Sequence, residues 1–339
     1  MKKSNRQKII TLIAITILIG VAGQGIYSRA ESNVQSAIDS DINVVATTHI
    51  LRDFAQEIIG DEGKVSVIIE SGSCPGHYDY SPSDINVVEN ADIVFYHGFE
   101  WEGGLGSLLE EAGNTEAGFG MIQNSSISFT DQWGSPANAP LFLDVICDHL
   151  YDTYPLLNET FNDNKDAYLA KLEGYKTYYE LKINTTYKWR NKNAFVMKHQ
   201  KSFMDWLGFN VSGYNVWDLD DNSMTPSDIT NIMNNASQHG AEIVVGNYQS
   251  GRDIGKEIAN DLGIESTFLT NFPGVYGIDT YLGQIEFNVA LLHHVINGGP
   301  DPRPYNSDTI GANLLVPLMV CVISGIALVI YMKRKSLFS

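Results

Sequence analysis

The sequence predicts an α/β protein of two Rossmann-like lobes. Each lobe carries a parallel sheet, one long backbone helix joins them, and a cleft lies between. Three observations predict this. Strand-like and helix-like stretches alternate along the chain in two separate runs. A helix-opening phrase, Ser81-Pro82-Ser83-Asp84-Ile85, recurs as Thr225-Pro226-Ser227-Asp228-Ile229, each time ahead of a helix and then a strand. Between the runs, residues 161–190 contain no proline and one glycine, Gly174, with Tyr168, Leu172, Tyr175, Tyr179 and Ile183 spaced three and four apart.

The N-terminal run spans 42–160. Ile42 to Thr48 reads as a buried strand leading into a helix over 49–60. Strands follow over 64–70 and 91–96, then a helix near 105–111. The second run spans 191–298, with strands over 194–198, 242–245 and 266–269 and helices over 200–207, 254–262 and 281–296. In both repeated phrases Ser or Thr is placed to cap the helix and Pro occupies its first position. Asp occupies the third, where its charge suits the helix dipole and its carboxylate reaches back to the cap.

The chain ends read as targeting segments. Lys2, Lys3, Arg6 and Lys8 precede an apolar run over 9–22, and Ser28-Arg29-Ala30 supplies small residues for cleavage. That is the layout of a secretory signal peptide over 1–30, with an uncleaved signal anchor as the alternative. A polar linker, 31–41, follows. After a second linker, 299–313, residues 314–332 are apolar and uncharged, and would span roughly 28 Å as a helix, about one hydrocarbon core. Lys333, Arg334 and Lys335 open a short tail, 333–339, that the positive-inside rule places in the cytoplasm. The expectation is a single-pass cell-membrane protein with its large domain extracytoplasmic.

Charge is concentrated in that domain. Five of the 22 basic residues precede Glu31 and three follow the apolar run, leaving 14 against all 40 acids, a net −26. Such a surface excludes nucleic acid as a partner and attracts cations. Cys74 and Cys147 are too few to form a disulfide framework, and the sequence leaves their pairing open. No Gly-x-Ser-x-Gly, His-Glu-x-x-His or phosphate-cradling loop occurs, so the chain does not read as an enzyme.

Cys74-Pro75-Gly76-His77 places a thiol and an imidazole three residues apart, a metal-site spacing. His199 ends the first strand of the second run. Together they offer a sulfur and two nitrogens, a set that favours zinc over manganese. His97, at a strand end, and Asp279, ahead of the last helix, are further candidates for a fourth position.

Residues 42–297 resemble the zinc/manganese-binding (cluster A-I) solute-binding proteins of metal ABC transporters. The resemblance rests on Val44-Val45-Ala46-Thr47-Thr48-His49-Ile50-Leu51, on Pro75-Gly76-His77-Tyr78-Asp79-Tyr80-Ser81-Pro82-Ser83-Asp84, and on Ala91-Asp92-Ile93-Val94-Phe95-Tyr96-His97-Gly98. Asp166-Ala167-Tyr168-Leu169-Ala170-Lys171-Leu172 and Lys198-His199-Gln200-Lys201-Ser202-Phe203 extend it. It implies a divalent transition metal, zinc first and manganese second, held in the inter-lobe cleft and passed to an ABC permease and its ATPase. The family's first ligand follows the Pro directly, whereas here Gly76 intervenes before His77. Its second His falls within 138–143, where there is none, and its final carboxylate falls at Asn271. Two other readings stand beside this one: a solute-binding protein whose metal has been exchanged for another solute or a metal complex, and an adhesin-like surface protein.

Overall fold

The computed structural model describes residues 42–99, 102–127, 133–211, 216–217 and 224–303. The expected signal peptide, first linker, apolar segment 314–332 and basic tail lie outside these residues. Among the described residues no helix is long and apolar enough to cross a membrane.

The first sheet has the order β2-β1-β3-β4, built from β1 (Ile42–Ala46), β2 (Gly63–Val67), β3 (Ile93–Tyr96) and β4 (Gly118–Gly120). β1 pairs parallel with β3, Val44 opposite Ile93, and β3 pairs parallel with β4. Val44, Val45 and Ala46 are fully buried, as befits a central strand covered on both faces. Helices α1 (His49–Ile59), α2 (Pro82–Val88) and α3 (Leu105–Glu111) belong to this run. Val45, Ile68, Val88, Val94, Leu105 and Leu108 share one apolar cluster within it.

α4 (Ala139–Thr153) leads to the long helix, α5 (Asn158–Thr185). The second sheet then repeats the topology of the first, in the order β6-β5-β7-β8: β5 (Ala194–Met197), β6 (Val216–Trp217), β7 (Ile243–Asn247) and β8 (Glu265–Leu269). β5 pairs parallel with β6 and β7, and β7 pairs parallel with β8. α6 (Lys201–Trp206), α7 (Pro226–Gln238), α8 (Arg252–Leu262) and α9 (Tyr281–Asn297) complete this half. Phe195, Met197, Val244, Ile254 and Ile258 belong to its apolar cluster.

Both repeated phrases are capping boxes. The Ser81 amide donates to Asp84 Oδ2 at 2.7 Å, and the Thr225 amide to Asp228 Oδ2 at 2.9 Å.

The long helix differs from the expected 161–190 at both ends. It starts three residues early, directly after a turn at Pro155–Leu157. It stops at Thr185, where the Tyr187 amide turns back to the Lys182 carbonyl at 2.8 Å and the chain folds to bury Trp189 against Tyr187 and Phe209. Its 28 residues reach roughly 42 Å. The early part packs on α1 and α4, while Tyr179 near the other end meets Trp206 of α6. Sequence periodicity missed α4 and the two- and three-residue strands β6 and β4. The strand expected over 64–70 forms over Gly63–Val67.

The two halves are joined at an aromatic seam. Phe54 of α1 packs edge-on against Tyr281 at the start of α9, with centroids 5.0 Å apart, and also touches Phe142 of α4 and Tyr168 of α5. Beside it, the Tyr281 amide donates to Asp53 Oδ2 at 2.8 Å.

Candidate functional site

Ligands in doubly wound sheets bind beyond the carboxyl ends of the strands. Here those ends converge on one cavity of about 230 Å³. The loop after β2 contributes Cys74, Pro75, Gly76 and His77, with Pro75–His77 forming a single 3-10 turn. The end of β5 and the turn after it contribute Met197, Lys198 and His199. Asn247, Gln249 and Ser250 follow β7, and Asn271 and Phe272 follow β8. Trp133, from the segment entering α4, closes the lining.

Three of the five expected residues, Cys74, His77 and His199, therefore line the same cavity, two from one lobe and one from the other. The other two do not line it. His97 is fully buried, its Nε2 lies 2.9 Å from Thr48 Oγ1, and its ring packs 4.2 Å from that of Trp133. Burial pushes its pKa down to about 3. Asp279 is exposed on the approach to α9, with its carbonyl accepting from Arg52 and its charge near His49. The His49 imidazole is held below its ordinary value, chiefly by burial and then by Arg52. Cys74 and Cys147 are not joined to each other by a disulfide.

Where the resemblance placed the second family histidine, within 138–143, the chain instead opens α4. The cavity position nearest in sequence is held by Trp133. Its ring stacks on Phe272 at 5.5 Å, and its Nε1 donates to the Asn271 carbonyl at 2.9 Å. An aromatic residue in the lining carries no period or motif, so nothing in the sequence marks it.

The floor of the second lobe is a carboxamide network that sequence reasoning also missed. Gln200 is 1% exposed, and its Nε2 donates to Asn247 Oδ1 at 2.9 Å, the Leu269 carbonyl at 3.1 Å and Asn271 Oδ1 at 2.7 Å. Gln249 accepts from the Asn271 amide at 3.1 Å and donates to Thr270 Oγ1. On the rim, Ser71 Oγ donates to the Gly274 carbonyl at 2.7 Å, and Gln249 Nε2 donates to the Ser71 carbonyl at 3.3 Å. Gly274 has φ +101, and a Cβ there would fall 2.3 Å from that of Ser71. The close approach and the backbone both require glycine.

Among the described residues no three His, Cys, Asp or Glu side chains are gathered closely enough to hold a metal ion. Cys74, His77 and His199 share a cavity without forming a closed coordination shell. One buried carboxylate, Glu102, lies deeper in the first lobe. It accepts from Thr47 Oγ1 at 2.8 Å and the Gly98 amide at 2.7 Å, and burial raises its pKa to about 7.

Residues 44–295 match the family model described as zinc-uptake complex component A, periplasmic. The chain belongs to that family. Its relatives include the manganese-binding lipoprotein MntA of Halalkalibacterium halodurans, 23% identical over 82% of this chain and 95% of that protein. The iron-binding protein YfeA of Yersinia pestis is 30% identical over 48% of this chain and 54% of its own. Among solved structures, the Mn-bound periplasmic metal binding protein of Candidatus Liberibacter asiaticus superposes with a TM-score of 0.60 at 17% identity, over 74% of this chain and 97% of that one. TroA gives 0.60 at 19% identity, over 75% and 98%. These likenesses establish the shared fold. The zinc-uptake component family is one of solute-binding proteins, and the chain is not an enzyme.

Proposed function

We propose that this chain is the substrate-binding component of an ABC importer for a divalent transition metal. It captures the metal in the inter-lobe cavity and delivers it to a permease driven by an ATPase. The observation that carries this reading is the meeting of His77 and His199, from opposite lobes, in one cavity at the carboxyl ends of two parallel sheets. Family membership supports it, as do relatives described as manganese- and iron-binding.

Zinc is the favoured metal. A thiolate and two imidazoles are soft to borderline donors, and such a set ranks zinc above manganese. With Cys74, His77 and His199 as ligands, a fourth position remains for water. Secretion through the 1–30 segment and tethering by 314–332, with the domain facing outward, complete the proposal.

Metal content of the purified protein, with calorimetric titration of zinc, manganese and iron(II), tests the central reading. A zinc stoichiometry near one with micromolar or tighter affinity is the expected result. No binding of any divalent ion at micromolar levels would overturn it. Alkaline extraction of membranes tests the tether: retention in the pellet supports it, and release refutes it.

A further inference from the structure

A second cavity, of about 460 Å³, lies outside the metal-binding cleft, along the edge strand β8 of the second sheet. Arg252 and Lys256 of α8, Ser266 and Thr267 of β8, Tyr276 and Arg303 line it. These are not the residues of the metal cavity.

The first observation is charge. Three cations meet here in a strongly acidic domain. Asp253 lines the cavity too, and Asp301 accepts from Arg303 Nε at 2.8 Å and Nη2 at 3.0 Å. With both acids counted, the group keeps one positive charge.

The second is the setting of Arg252. Its Nε lies 3.4 Å from Oδ1 of the neighbouring Asp253, whose side chain is 82% exposed. An ion pair so open to water is worth little, and another anion competes with it. Rings hold the guanidinium in place: Cζ lies 5.8 Å from the centre of Tyr248 and 5.9 Å from that of Phe268. A guanidinium stacked on aromatic faces carries its donors at its edge, the geometry that meets a phosphate with two parallel bonds. Lys256, four residues on, shares that face of α8.

The third is strain. Tyr276 has φ +55, a left-handed backbone uncommon outside glycine. Its ring stacks on Phe287 at 5.3 Å and meets Tyr248 edge-on at 5.4 Å. Strain of this kind collects at ligand clamps. Here it sets an amphipathic ring on the cavity wall, within the electrostatic reach of Arg252 and Arg303.

Position names the ligand. The described residues end at Arg303, and ten residues separate it from the apolar run that begins at Leu314. Such a link cannot hold the cavity farther than about 40 Å from the membrane. Arg, Lys and Tyr are also the side chains that settle at a headgroup layer. We propose that this cavity docks the phosphate of an anionic phospholipid headgroup on the outer face of the membrane. The inference rests on the tether reading above. Arg252 and Lys256 bind the phosphate, Arg303 adds its charge, and the Tyr276 ring sits at headgroup level. Docking holds the domain in one orientation against a surface that its overall charge repels.

Hydrogen–deuterium exchange of the full-length protein in lipid nanodiscs tests this. One disc is phosphatidylcholine, a second is equimolar phosphatidylcholine and phosphatidylglycerol, and a third is phosphatidylcholine with inorganic phosphate in solution. Exchange over 265–276 should slow about threefold in the anionic disc alone. Replacing Arg252→Gln and Lys256→Gln together should abolish that protection, while unchanged exchange over β5 and β7 shows that the variant folds. Protection by inorganic phosphate, with none from the anionic lipid, overturns the membrane assignment and makes the cavity a site for a soluble phosphate. Equal exchange in all three discs overturns the anion site and leaves the tether standing. Protection that survives the double substitution overturns this cavity as the seat of the contact. A protein recovered outside the discs overturns the tether, and the docking with it.

Discussion

Replacing Asp53 by asparagine should stabilise the protein at alkaline pH and do little in acid. Asp53 is 4% exposed between α1 and the start of α9, and burial is the main reason its carboxyl titrates near 7 rather than 3.8. Glu57 adds to the rise, while the Tyr281 amide and Arg52 oppose it. Because the folded value is the higher one, the folded state holds the proton more tightly. The resulting stability is complete below pH 3.8, declines through the interval to about 7, and is gone above it. A shift of about three units corresponds to at most about 4 kcal/mol, and relaxation around the charge brings the expectation to about 2 kcal/mol. Asparagine retains an oxygen to accept from the Tyr281 amide while removing the charge. Thermal unfolding at pH 8 should show the Asp53→Asn midpoint raised by roughly 4–8 °C, and the difference should fall to less than half by pH 5. Glu102 and Glu286, whose values burial also raises to about 7, titrate in the same window but cancel between variant and wild type. An Asp53→Asn protein that is no more stable at pH 8, or whose advantage is the same at both pH values, would refute the reasoning.

Three further outcomes are expected. Gly274→Ala forces a left-handed backbone onto alanine and drives its Cβ into Ser71, so the unfolding free energy should drop by about 1–3 kcal/mol in urea titration; an unchanged midpoint would refute the close approach. His199→Ala should weaken zinc binding at least tenfold, about 1.4 kcal/mol, and by more than Cys74→Ser does. Wild-type affinity should also fall as pH drops, because the ligating forms are neutral imidazole and thiolate; calorimetry at stepped pH checks both, and equal losses in the two variants would count against His199 as the firmer anchor. Asn271→Asp supplies an acceptor that Gln200 can still satisfy, so affinity for free zinc should rise about tenfold in the same assay; no gain would place Asn271 outside the metal's reach.

The sequence made the repeated architecture legible because its signals are local. The capping phrases at Ser81 and Thr225 and the apolar runs of β1, β3, β5 and β7 each specify their own element, and every one of these formed. The long helix was legible in its interior but not at its ends, where the stop depends on Trp189 being buried by distant residues. The candidate site was half legible. His77, His199 and Cys74 follow strands whose order puts them together. His97 ends a strand too, yet the Trp133 ring lies against it, a contact between residues 36 positions apart that no spacing rule reveals. The Gln200 network was invisible for the same reason, since its partners come from the ends of two other strands, β7 and β8.

Ser71 alone provides two hydrogen bonds between the lobes, one through its hydroxyl and one through its carbonyl. At about 1 kcal/mol net for each, this one-residue latch is worth about 2 kcal/mol. If it were the last contact to part, roughly one molecule in thirty would stand unlatched at any moment. Thermal motion alone would then suffice to admit cargo. A permease would need to supply only that small difference, by competing for the Ser71 hydroxyl, to turn a store into a donor.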